Sequence, residues 1–173
     1  MRNNRRRRTC GSTLLEFTLV GIPLIFVLIS TVELSRGMWT YHTLSSAVKQ
    51  GTRYAVVHGQ NCALPPNTCS VTISQIATRI KTVGVGLPAS DVTLTFTTSA
   101  GTATTCTLSD CIANYTTAAW PPSTANAPGL KIKIVGVYPF RSAIAMFWPG
   151  AGRASSGPGV VNLAGRSRES IQF

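Results

Sequence analysis

A single carboxylate, Glu16, stands near the start of the apolar stretch "GSTLLEFTLVGIPLIFVLISTVELSR". An isolated acid in a hydrocarbon-crossing helix costs about 2.5–3.5 kcal/mol at the helix centre and less near an end, so it either finds a partner or snorkels to the interface. Other groups capable of chemistry are sparse. Cys62, Cys69, Cys106 and Cys111 form a C-x6-C and a C-x4-C pair, spacing that fits two local disulfides in an oxidising compartment. A zinc site is the rival reading, but C-x2-C spacing is absent and neither His42 nor His58 lies near the cysteines in a ligand pattern. Asp91, Asp110 and Glu169 are scattered, and no G-x-S-x-G, H-E-x-x-H or glycine-rich phosphate loop is present. Neither a catalytic site, a metal nor a cofactor is expected from these residues.

The element that holds Glu16 is the apolar run itself. From Leu14 to Val32, nineteen positions contain one acid, and at 1.5 Å per residue they reach roughly 28 Å, close to the thickness of a bilayer core. A cleavable secretory signal also follows basic residues, but its apolar core is shorter and ends at a small-residue cleavage site. Here the run leads into Glu33-Leu34-Ser35-Arg36, so a membrane anchor is the better reading. A lipoprotein site at Cys10 fails because it follows arginines, and a twin-arginine signal fails at Thr9-Cys10-Gly11. The arginines before the span hold that end in the cytoplasm, which places residues beyond Arg36 outside it, in the periplasm. Trp39 and Tyr41 then suit an interfacial aromatic belt, and Glu33 an ordinary interfacial charge near Arg36.

Net charge is +11, but Arg2, Arg5, Arg6, Arg7 and Arg8 precede the span; removing them from the 16 Lys and Arg leaves 11 against 5 acids, or +6. Along the sequence this remainder is dispersed from Arg36 to Arg168 with no focused stripe, so no nucleic-acid partner is expected.

Beyond the span, Leu34, Met38, Tyr41, Leu44, Val48 and Ala55 recur at helical spacing, which predicts one helix from about Thr13 to Val57, with Pro23 bending or locally breaking it. "NCALPPNTC" reads as a loop. Ile73, Ile76, Ala77 and Ile80 predict a short helix stopped at Gly84. Val92, Leu94 and Phe96 alternate with threonines as in a half-buried strand, and Leu130, Ile132 and Ile134 do so with lysines. Residues 97–128 read as a tethered Thr-, Ser- and Pro-rich loop with at most one short strand, "RSAIAMFW" as a brief helix or turn, and Val160 to Leu163 as an edge strand. The expected fold class is α+β: a long N-terminal helix followed by a small domain with antiparallel strands.

"GSTLLEFTLVGIPLIF", with glycine, four residues, Glu, Phe and an apolar run holding a proline, resembles the N-terminal segment of the TadE-like family, pilin-like proteins of tight-adherence (Flp-type) pilus assembly. "SSAVKQGTRYAVVHG" is similar to that family's small-residue helix, and "VGVYPF" resembles its late strand. The resemblance covers Arg8 to Gly59 and, more faintly, Leu130 to Phe140. It implies a basic leader at 1–11, cut by a prepilin peptidase between Gly11 and Ser12, with Glu16 and Phe17 at mature positions five and six. A transmembrane helix at 12–33, its periplasmic extension at 34–59 and a small α+β domain at 60–173 would follow.

What this implies functionally is a minor pilin or pseudopilin. Its partners would be the peptidase, other pilin-like subunits and the inner-membrane assembly platform, and Glu16 would neutralise a neighbouring subunit's free amine to set helix register. Two alternatives stay open: a pseudopilin of a type II secretion or DNA-uptake system, and an uncleaved single-pass envelope binding protein.

Overall fold

The computed structural model describes residues 10–59, 62, 71–143 and 160–172. The arginine leader, Cys69 and residues 144–148 of the "RSAIAMFW" segment lie outside them. Helix α1 (Cys10–Val57) begins three residues earlier than expected and runs through Pro23 without interruption, so no local break occurs there. The proline removes one N–H from the helical ladder, a loss that membrane helices tolerate better than soluble ones.

Helix α2 (Ile73–Val83) starts with a capping box, in which Thr72 Oγ1 accepts from the Gln75 N–H and Gln75 Oε1 accepts from the Thr72 N–H. It ends at Gly84, whose N–H donates to Ile80 O at 2.8 Å. Ile73, Ile76, Ala77 and Ile80 are all buried, as their spacing predicts. Strands β1 (Thr93–Thr97) and β2 (Ala103–Thr107), helix α3 (Leu108–Asn114), a 3-10 turn (Ser123–Ala125), β3 (Lys131–Arg141) and β4 (Val160–Ser170) complete the order. The strands form one antiparallel sheet, β2-β1-β3-β4, and the fold is α+β as expected.

One face of the sheet packs on the upper half of α1, the half nearer its C-terminus. Leu94, Phe96, Ile132 and Ile134 meet Leu44, Ala47 and Val48 in a common core, with Trp120 edge-to-face on Phe96 at 5.2 Å between ring centres. The helix approaches closely because glycines face it. A Cβ on Gly136 would stand 2.8 Å from Val48 Cγ2, and one on Gly165 would stand 3.1 Å from the Ser45 Cα. Gly51 plays the same part towards α2, where a Cβ would come within 2.5 Å of Ile80 Cγ1.

Two expectations change, and the stripe Leu34, Met38, Tyr41, Leu44, Val48, Ala55, which forms one helix as expected, divides by burial: Leu44, Val48 and Ala55 are in the core, while Leu34, Met38 and Tyr41 are exposed. Helix α2 covers this side only higher up, opposite Gly51 and Ala47, and stops there. Residues 97–128 are more ordered than a tethered loop, holding β2, α3 and the 3-10 turn. Strand β4 is eleven residues long and pairs with β3 from Lys131↔Ser170 to Arg141↔Val160.

The sheet also gathers charge that the sequence disperses. Lys131, Lys133 and Arg141 of β3 and Arg166 and Arg168 of β4 all lie on the face turned away from α1, and all five are exposed.

Candidate functional site: the bare half of the long helix

Gly11 and Ser12 lie within the first turn of α1, and Glu16 and Phe17 follow on exposed turns of the same helix. The large apolar residues from Leu14 to Leu28 are each 55–76% exposed. Leu24, Ile25, Phe26, Val27 and Leu28 are consecutive, and at about 100° per residue five in a row go all the way round the helix. No described part of the chain covers this segment on any side. An all-round apolar helix is stable only when lipid or other helices surround it.

The polar atoms inside the apolar segment are arranged for such surroundings. Thr18 Oγ1 donates to Leu15 O, Ser30 Oγ to Phe26 O and Thr31 Oγ1 to Val27 O, at 3.0, 2.8 and 2.8 Å. Each hydroxyl is thereby satisfied within its own helix, which removes the cost of exposing it to hydrocarbon. The segment is one helix long and apolar enough to cross a membrane.

At the upper edge of the apolar run, Glu33 does more than its sequence position suggests. Its side chain is buried, Oε1 lies 2.6 Å from Arg36 Nη1, and Oε2 accepts from the Ala143 N–H at 3.0 Å. The expected pairing with Arg36 is present; the tie to Ala143 was not legible, because it joins residues 110 positions apart. Phe140 packs beside Gly37, and the Arg36 guanidinium carbon lies 5.5 Å from the centre of its ring. The end of β3 is thus held against α1 just above the apolar run. Trp39 and Tyr41 beside it are exposed.

Cys106 and Cys111 form a disulfide that ties β2 to α3. Thr107 Oγ1 caps that helix by accepting from the Asp110 N–H. The pairing of Cys62 with Cys69 lies outside the described residues. Among the described residues no three of His, Cys, Asp and Glu come together as metal ligands.

The fold and this helix define a class: a protein with one N-terminal helix fit to span a membrane, whose upper half is built into a small α+β domain. Residues 11–53 match the family model described as TadE-like protein, the family that the N-terminal segment resembles in sequence. The match opens at Gly11 and closes at Arg53, so it takes in the bare segment, the Glu33 tie and most of the packed half, while the sheet lies outside it. Neither the curated proteins nor the solved structures compared with the chain yield a match.

Proposed function

We propose that this chain is a minor pilin or pseudopilin that assists assembly of a tight-adherence (Flp-type) pilus. The observation that carries the reading is the bare apolar helix, uncovered by the described fold and coinciding with a TadE-like segment that starts at Gly11. In this reading a prepilin peptidase cuts between Gly11 and Ser12, removing the leader 1–11 with its arginines and Cys10. Residues 12–33 then span the inner membrane, and the domain from 60 to 173 stands in the periplasm on the extension 34–59.

Cleavage frees an α-amine with an ordinary pKa near 7.7–8.0, largely protonated at neutral pH. Glu16, about one helical turn away, provides the opposite charge, so that two pilin-like helices packed in register pair the amine of one with the glutamate of the other. A pair of this kind offsets most of the cost of holding either charge in lipid, and losing one partner leaves the other uncompensated. The assembly platform engages the same helix in this account, and the mechanism is protein interaction without catalysis.

The test is the N-terminus of the membrane-extracted protein, read by mass spectrometry from cells with and without their prepilin peptidase. A chain beginning at Ser12 only in the presence of the peptidase is the expected result. An intact leader in both strains would overturn the assignment and leave a single-pass membrane-anchored domain.

A further inference from the structure

The sheet face turned away from α1 carries five exposed cations; its strands place no Asp or Glu there, and Asp91, just before β1, lines a groove with Arg141 at the end away from Lys131. Register places Lys133 directly opposite Arg168, with Lys131 two residues to one side and Arg166 two residues to the other. At about 3.4 Å per residue these four form a staggered row roughly 14 Å long. At one end of the row, Lys131, Lys133 and Arg168 line a groove of about 530 Å³ together with Thr97, Thr98 and Ser99 of the β1–β2 hairpin. Across the rest of the face the threonines of β1 and β2 present hydroxyls, and Thr95 and Thr105 hydrogen-bond across the strands at 3.2 Å. Glu169, the acid nearest in sequence, lies on the opposite face, 4.0 Å from Arg53.

Several occupants can be set aside on geometry. The Gln172 N–H donates to Val56 O, so the Lys131 end of the sheet stands level with the top of α1. Val56 is twenty-three residues beyond Glu33, or about 35 Å of helix. Screening reduces electrostatic reach to about 8 Å at physiological salt, so the headgroups of the membrane that anchors the helix do not engage this end. A second copy offers no clustered acid in its domain, since Asp91 lies in the loop before β1, Asp110 on α3 and Glu169 on β4. The face bears no aromatic ring on which nucleic-acid bases or a neutral sugar could stack.

We infer that this face binds an acidic polysaccharide. Carboxylate or sulfate groups along the polymer pair with Lys131, Lys133, Arg166 and Arg168, and its hydroxyls meet the threonines. The choice of a glycan over duplex nucleic acid rests on the sheet's lying outside the cytoplasm, as in the reading above. Binding by the purified chain is measured independently of leader processing, so failure of one does not entail failure of the other.

The test uses the full chain in detergent micelles with polygalacturonate as the probe. Lys133→Gln with Arg168→Gln is compared with a control that removes the same charge elsewhere, Lys49→Gln with Lys81→Gln. The sheet pair is expected to weaken binding about tenfold and the control pair less than about twofold, with binding by the unaltered chain falling as salt is raised. Both variants change exposed side chains and should unfold thermally like the parent. No binding by the unaltered chain at low salt, or equal weakening by the two pairs, would overturn the inference. Tighter binding of duplex DNA than of polygalacturonate at matched anion concentration would overturn the glycan and assign the face to nucleic acid.

Discussion

The two halves of α1 belong to one continuous helix and answer to opposite requirements. Between Leu14 and Val32 most side chains are large and apolar, with exposed ones on every side of the helix, and the described fold spends nothing on covering them. Between Leu44 and Val56 the buried positions are Leu, Ala, Val, Gly and Thr, and the backbone lies close enough to the sheet that Gly165 meets the main chain of Ser45. Large residues suit a surface to be filled by lipid or by other helices, whereas small residues suit one that must let a sheet approach. The Glu33 tie to Ala143 marks the boundary between the two regimes.

That contrast is open to direct attack. The largest effect is expected in the packed half's core: Phe96→Ala removes a fully buried ring that touches Trp120, and should lower the unfolding free energy by about 3–5 kcal/mol. Leu24→Ala in the bare half, measured by the same thermal unfolding of the domain in micelles, should change it by no more than about 0.5 kcal/mol. Equal losses would erase the distinction between the halves.

A smaller effect should follow Gly165→Val, because the added atoms meet helix backbone that cannot step aside. The expected cost is about 1–3 kcal/mol, checked by denaturant titration. Smaller again is Glu33→Gln, which loses the charge-assisted bonds to Arg36 and to the Ala143 N–H. With Arg36 itself more than half exposed, about 1 kcal/mol is expected, and faster hydrogen exchange at the Ala143 amide would report that the sheet end has loosened.

The same contrast explains what could be read from the sequence. The bare half was legible because an uninterrupted apolar run needs no tertiary partner to be recognised. Helix α2 and strands β1 and β3 were legible because their buried residues are large and correctly spaced: Ile73, Ile76 and Ile80 on one, and Leu94, Phe96, Ile132 and Ile134 on the others. Most of β4 was not. Its helix-facing positions include Gly165, Ser167 and Glu169, so no alternation of large apolar residues announces a strand where the helix backbone rests directly on it. Helix α3 is seven residues long, and its buried side chains are Leu108 and the disulfide-bonded Cys111, too few for a periodic signal. The basic face is not legible in the sequence because Lys131 and Lys133 are more than thirty residues from Arg166 and Arg168, and only the β3–β4 register brings them together.

At the candidate site, the pattern of Gly11, Ser12, Glu16 and Phe17 is legible in the sequence; all four lie on α1, where Glu16 and Phe17 are exposed. The role of Glu33 is not legible in the sequence, where an acid beside Arg36 looks complete, because a further partner arrives from the end of β3.

The central claim is that the bare half of α1 packs among pilin-like helices. The most direct measurement places a photo-crosslinking amino acid at Val20, Leu24 or Leu28 in one set of cells and at Ala47, which is buried in the chain's own core, in another. The account predicts intermolecular protein adducts from the first set that contain pilin-like subunits, and none from Ala47. Adducts to lipid alone at Val20, Leu24 and Leu28 would contradict it and reduce the helix to a membrane anchor.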